Sequence, residues 1–342
     1  MQICEFRMTN SIEVIQLQSP GGPEVLELVR RPQPQPQAGE VRVEALAIGV
    51  GSADTLIRSG RYMWMPALPA VPGNEMAGVI DAVGDDVDAA LLGTRVLVSS
   101  RELPQRGGCY AQAICVPAAA VYALPETLAP HDAVTLPNYQ LAGAFLYDSG
   151  IPKPSAILIH GAAGGVATAL IQLCLADGIV PIGTVSTDAK LDFARRAGAP
   201  HVIHRGRENV RDAVLRITEG RGVDAVYDRA GPGFTSSLDL LAMSGTLISI
   251  NSLDGAPDAD LYTELKKRLG RSLGVRCYSI HTLDQQPARR RAFMQRAIDL
   301  MTEGRLRPPP PTLLPLRDAA RAHAMLEAGE TLGKLVLVPA SE

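Results

Sequence analysis

With 342 residues the chain exceeds one ordinary domain and is about long enough for two. Its 46% hydrophobic and 20% charged residues exclude a disordered or fibrous protein. Thirty-three Lys+Arg against 36 Asp+Glu leave a formal charge of −3, so no basic field invites nucleic acid, and none is expected as a partner.

In chain order, the opening MQICEFRMTNSI carries acid and arginine where an export signal needs an apolar run. The five cysteines (Cys4, Cys109, Cys115, Cys174, Cys277) form an odd, scattered set without a C-x-x-C pair. Both features predict free thiols and a cytoplasmic protein. Short β-rich runs at 12–17, 41–48, 78–83, 95–98 and 110–116 alternate with Gly- and Pro-rich turns, the punctuation of an all-β region. Residues 32–39, PQPQPQAG, make a stiff surface connection, because proline cannot donate to a sheet ladder. From about Pro130, strand-like and helix-like stretches alternate: 156–160 then 165–176, 180–185 then 189–197, 225–227 then 235–243, and finally 246–251. Continuous apolar strands between helices predict an α/β fold with a doubly wound parallel sheet. Residues 154–176 lack Asp, Glu, Lys and Arg over a membrane-spanning length, but His160 and the cluster Gly161-Ala162-Ala163-Gly164-Gly165 break the run. A buried strand, a turn and a buried helix explain it, with no membrane partner. A helix at 289–303, a proline-rich link at 307–311, a helix at 317–328 and a strand at 334–338 close the chain.

The most informative stretch is the strand at 156–160 leading through small residues into a helix. Small residues let a backbone approach a pyrophosphate, and the free N–H groups and positive dipole of a helix N-terminus bind it. Against the pattern G-x-G-x-x-G/A the key positions are Ala162, Gly164 and Ala167, so the first glycine is missing. Gly164, Gly165 and Val166 are the expected phosphate-binding residues; a tight turn that binds nothing is the alternative for the motif taken alone. The next strand ends in Ser186-Thr187 with Lys190 behind it. A cofactor without a 2′-phosphate usually meets a carboxylate at this tip, whereas hydroxyls and a cation suit the phosphate of NADPH. Asp188 faces the ribose instead if the strand ends later, and Lys190 is otherwise a solvated helix residue.

Together these segments resemble the zinc-independent quinone oxidoreductases of the medium-chain dehydrogenase/reductase superfamily. The resemblance covers nearly the whole length. It rests on Asp54-Thr-Leu-Ile-Arg-Ser-Gly60, Gly73-Asn-Glu-Met-Ala-Gly78, His160-Gly-Ala-Ala-Gly-Gly-Val166, Gly183-Thr-Val-Ser-Thr-Asp-Ala-Lys190, Val226-Tyr-Asp228 and Gly333-Lys-Leu-Val-Leu-Val-Pro339. It implies a GroES-like β-barrel domain from residues 1–128 and 282–342, with an inserted Rossmann domain at 129–281 and NADPH in the cleft between them. It also implies a homodimer. Arg205 falls near the adenosine phosphate by this resemblance, as a 2′-phosphate ligand or a solvated surface arginine. Asn251, followed by Ser252, falls beside the nicotinamide, as a carboxamide partner or a loop cap.

Zinc-dependent relatives place cysteine and histidine where this chain has Gly51 and Asn74, and their four-cysteine lobe is reduced to Cys109 and Cys115. Zinc needs thiolate, imidazole or carboxylate ligands, so no metal is expected. Without a Lewis acid, acceptors that take a hydride unaided, such as quinones and conjugated enones, are the better small-molecule substrates. Similar proteins often carry Asn, Tyr and Thr where Gly51, Leu56 and Leu141 stand, which leaves the catalytic residues unassigned and Tyr62 as a pocket residue. Enoyl-thioester or alkenal reduction is the alternative activity. A non-catalytic NADPH-binding or RNA-binding protein is the alternative of another class.

Overall fold

The computed structural model describes residues 11–228, 233–250 and 259–339. The chain divides into two compact units, one from its two ends up to Pro137 and from Pro310, the other spanning Asn138–Pro309.

The first unit begins with β1 (Ser11–Gln16), β2 (Glu27–Pro32) and β3 (Glu40–Val50). It continues through α1 (Ser52–Arg58), β4 (Glu75–Val83), β5 (Arg95–Ser99), β6 (Ala113–Pro117), β7 (Val121–Ala123) and α2 (Pro130–Ala133). β1 and β2 form an antiparallel ribbon, and the proline-rich link follows it as an irregular, largely exposed connection. In β3 the side chains of Val41, Val43, Ala45 and Ala47 point alternately inward, the period of two that a half-buried strand requires. β3 pairs antiparallel with β4 on one side and with β6 and the chain's last strand on the other. Gly49 lies directly opposite Glu75 in that register, and a Cβ there would come within 2.4 Å of Glu75 Oε1. Only glycine leaves room for a buried carboxylate at that point.

The second unit holds α3 (Leu136–Asp148), which begins at the boundary, β8 (Ala156–His160), α4 (Gly165–Ala176), β9 (Val180–Val185) and α5 (Asp188–Arg196). It goes on with β10 (His201–His204), α6 (Val210–Ile217), β11 (Val223–Asp228), α7 (Phe234–Leu238) and β12 (Leu241–Ser249). α8 (Leu261–Lys267), β13 (Gly274–Cys277) and α9 (Pro287–Thr302) complete it. Six strands pair in parallel in the order β10-β9-β8-β11-β12-β13. Numbered within the unit this is 3-2-1-4-5-6, the doubly wound arrangement expected from the sequence. The charge-free stretch at 154–176 is β8, its turn and α4. Among the described residues no helix is long and apolar enough to cross a membrane.

The chain then returns to the first unit as β14 (Thr312–Pro315), α10 (Ala319–Glu327) and β15 (Leu335–Val338). The resulting sheet runs β14-β15-β3-β4-β5-β7, with β6 on β3. The unit boundaries therefore fall at 137/138 and 309/310, where the sequence suggested 128/129 and 281/282. α9 accounts for the second difference. Its Phe293 ring stacks on Tyr147 of α3, and the backbone carbonyl of Arg290 accepts a bond from Gln140 Nε2 at 3.1 Å, which ties it to the second unit. The helix expected at 235–243 ends at Leu238, and Leu241 already sits in β12 opposite Val223.

Candidate functional site

In the second unit the order of strands reverses direction between β8 and β11, and ligands of such sheets bind at the carboxyl ends beside that point. β8 ends in His160, then Gly161 takes a left-handed φ of 71° and turns the chain toward α4. Ala162 is fully buried and donates its N–H to the carbonyl of Thr184 at 2.9 Å, which ties the turn to β9. A Cβ at Gly183 would stand 2.6 Å from that of Ala162, so the glycine in β9 makes the close approach possible. Gly164 occupies the N-cap position of α4 and no side chain caps the helix. The half-buried Gly165 and Val166 thus open a helix whose first-turn N–H groups are left for an external acceptor. The local chemistry fits a pyrophosphate even without the first glycine of the pattern.

At the end of β9, Ser186 and Thr187 are exposed and Lys190 is half-buried. Thr187 Oγ1 accepts the Lys190 N–H at 3.3 Å as the N-cap of α5, which leaves its own O–H proton to be donated elsewhere. Asp188 is drawn to the next strand: Arg207 Nη2 donates to it at 2.6 Å, and His204 Nε2 lies 3.7 Å from its other oxygen. That pairing offsets the one carboxylate at the tip, a feature invisible in a linear reading. Arg205 is exposed and held beside β9 by its N–H to the Val185 carbonyl at 2.9 Å. Its charge, second to burial, helps hold His160 down at about 4. Neutral His160 bridges Thr184 Oγ1 at 3.0 Å and Ser237 Oγ at 3.2 Å. The structure thus gathers the turn, Ser186, Thr187, Lys190 and Arg205 around neighbouring strand ends. Asn251 and Ser252 lie outside the described residues.

The first unit carries a polar cluster at α1 and the start of β4. Asp54, 1% exposed, accepts the Gly51 N–H at 2.8 Å on one oxygen and the Asn74 amide at 2.6 Å on the other. Asn74 Oδ1 in turn accepts from the Ser100 hydroxyl. Tyr110 donates to Asp54 Oδ2 at 3.4 Å and stands 3.0 Å from His323 Nε2. Burial, with the nearby Glu75 carboxylate, pushes Asp54 up to about 7, while burial and the Arg58 guanidinium push His323 down to about 3. Glu75 itself is buried and paired with Lys334. Leu56 is half-buried, and its carbonyl accepts the Tyr62 N–H at 3.2 Å. The Tyr62 ring meets Trp64 edge-on, with centroids 5.7 Å apart. Sequence reasoning did not foresee the Asp54 cluster, because its members come from distant parts of the chain.

Two family models match: an alcohol dehydrogenase GroES-like domain over residues 37–126 and a zinc-binding dehydrogenase over 197–337. A quinone oxidoreductase of Pseudomonas aeruginosa is 33% identical over 95% of this chain and 99% of its own length. This chain belongs to the quinone oxidoreductase family of the medium-chain dehydrogenase/reductase superfamily. A solved quinone oxidoreductase from Pseudomonas syringae pv. Tomato superposes on this family member with a TM-score of 0.85 at 31% identity, covering 96% of this chain and all of the other. The Escherichia coli quinone oxidoreductase, solved in complex with NADPH, gives a TM-score of 0.84 at 31% identity over 96% of this chain and 100% of its own. The matches establish the GroES-like and Rossmann-like pairing of domains. They also make the protein an oxidoreductase.

One matched model is described as zinc-binding, and the residues present do not fit a zinc ion. Gly51 offers no ligand, and the Asn74 amide is already engaged by Asp54 and Ser100. Among the described residues no group of three or more His, Cys, Asp or Glu side chains is placed to hold a metal.

Proposed function

We propose that this protein transfers a hydride from NADPH to quinones or related electron-poor conjugated carbonyl compounds, without zinc. The observation that carries the reading is the pairing of an uncapped helix N-terminus after β8 with a strand tip whose only carboxylate, Asp188, is bound by Arg207. Gly164, Gly165 and Val166 are assigned to the pyrophosphate, and Ser186, Thr187, Lys190 and Arg205 to the 2′-phosphate. Asn251 and Ser252 are assigned to the nicotinamide end. When bound, NADPH supplies the hydride; the chain orients it and neutralises its phosphates. Tyr62 and the half-buried Leu56 give the acceptor an apolar wall. Quinones are favoured over enoyl thioesters because Leu56 has no hydroxyl to protonate carbon, while a reduced quinone takes its protons on oxygen. We assign the protein to the cytoplasm, in keeping with the unpaired Cys109, Cys115, Cys174 and Cys277, and we assign it a homodimeric state. The test is steady-state NADPH oxidation with panels of quinones, enones and enoyl thioesters, before and after exhaustive chelation. Turnover of quinones that survives chelation supports the reading; no turnover with any acceptor overturns it.

A further inference from the structure

We infer that His204 is a positioning residue for cofactor choice: its imidazole fixes the turn after β10 from which Arg207 holds Asp188, and so keeps that carboxylate from opposing a 2′-phosphate. This role rests on the NADPH reading above. His204 is the last residue of β10, lies opposite Val185 in β9 and has a side chain 13% exposed. Its carbonyl accepts the Arg207 N–H at 2.9 Å, which closes a turn over 204–207, and Arg205 within that turn is tied to the Val185 carbonyl at 2.9 Å. The ring acts on the same turn. Nδ1 accepts the Gly206 N–H at 3.1 Å, so the neutral imidazole carries its proton on Nε2. A side-chain acceptor bonded to the backbone two residues on is the contact by which Asn and Asp fix turns. A Cβ at position 206 would stand 3.2 Å from His204 Cε1, so glycine gives the ring its room.

The turn matters because the pair it serves is weak by itself. Arg207 and Asp188 have side chains 60% and 61% exposed, and an exposed ion pair gains little once two mobile side chains must be held in one geometry. A fixed backbone at Arg207 removes part of that cost. The adjacent carboxylate, Glu208, is engaged by Arg216 at 3.2 Å, which leaves Arg207 to Asp188. His204 Nε2 itself stands 3.7 Å from Asp188, beyond hydrogen-bond reach, so the ring acts through Nδ1 and the turn. All of these groups belong to the second unit, at the neighbouring ends of β9 and β10.

The test is titration calorimetry of the whole protein with NADPH and NADH, comparing His204→Ala, His204→Gln and His204→Asn, each with and without Asp188→Asn. His204→Ala and His204→Gln remove the turn acceptor and should lower the ratio of NADPH to NADH affinity about three- to fivefold, the reach of an exposed ion pair. His204→Asn keeps an acceptor at the Nδ1 position and should stay within about twofold of the wild type. With Asp188→Asn in place no carboxylate remains to be held, and substitutions at His204 should no longer move the ratio. An unchanged ratio in a folded His204→Ala or His204→Gln variant overturns the inference. So does a loss in His204→Asn equal to that in His204→Ala, or a loss that persists with Asp188→Asn. His204→Gln keeps much of the bulk of the ring and serves if the alanine variant does not fold. A wild type that binds neither nucleotide, or both alike, overturns instead the NADPH reading above, so the two failures are distinct.

Discussion

Replacing Asp54 with Asn should change the pH dependence of stability more than its absolute level. Asp54 is raised from 3.8 to about 7 by burial and then by Glu75, with the Gly51 N–H, Lys334 and Asn74 opposing. The folded state therefore holds a proton that the unfolded chain releases between pH 4 and 7, so the carboxyl lowers stability as pH rises through that window. About three pKa units at ~1.4 kcal/mol each gives up to about 4 kcal/mol. His323 acts in the opposite sense. Its pKa falls from 6.5 to about 3, so unfolding takes up a proton between those values and stability rises with pH. Between pH 4 and 6.5 the two contributions largely cancel in the wild type. In Asp54→Asn only the histidine slope remains, and the difference from wild type should grow by up to about 4 kcal/mol between pH 4 and 7. Losing one acceptor oxygen adds an offset of about 1 kcal/mol that does not vary with pH. Urea unfolding should be followed by fluorescence of Trp64, the single tryptophan, which lies in the same unit as Asp54. Parallel stability curves for the two proteins from pH 4.5 to 7.5 would refute the reasoning.

Lys190→Ala should weaken NADPH binding by about 1–3 kcal/mol and leave NADH nearly unchanged, as judged by titration calorimetry. Equal losses for the two cofactors would take Lys190 out of the phosphate site. Gly183→Ala puts a methyl 2.6 Å from the Ala162 Cβ, so it should cost about 1–3 kcal/mol of second-unit stability in urea melts and reduce NADPH affinity together. A variant with normal melting and normal binding would show that the β9–turn contact is not needed. Arg207→Ala releases Asp188 from its 2.6 Å partner, and the freed carboxylate should shift the NADPH/NADH affinity ratio toward NADH. An unchanged ratio would mean that Asp188 does not face the ribose phosphate.

Local patterns were readable from the chain, and contacts across it were not. The run Ala156–His160, its small-residue turn and α4 announce themselves because strand, glycines and helix are contiguous. The apolar run at Leu240–Met243 misled, since periodicity cannot separate a helix end from a buried strand when four such residues are consecutive. β10, β13 and β14 have four residues each, too short for an alternation to register. At the phosphate tip the hydroxyls and Lys190 were legible, but the Asp188–Arg207 pair depended on β9 and β10 lying side by side. In the first unit, Tyr110 reaches His323 across 213 positions of sequence, and Asn74 reaches Asp54 across 20. No spacing rule links residues brought together by a sheet whose strands come from both ends of the chain.

That construction also sets the order in which the protein can be made. β15, which pairs with β3, is synthesised only after every residue of the second unit has been translated. The Rossmann-like unit is contiguous and can close during translation, while the nascent barrel waits with one side of β3 only partly paired. Until the C-terminal strand arrives, that open edge is the segment of the newborn chain most exposed to wrong partners.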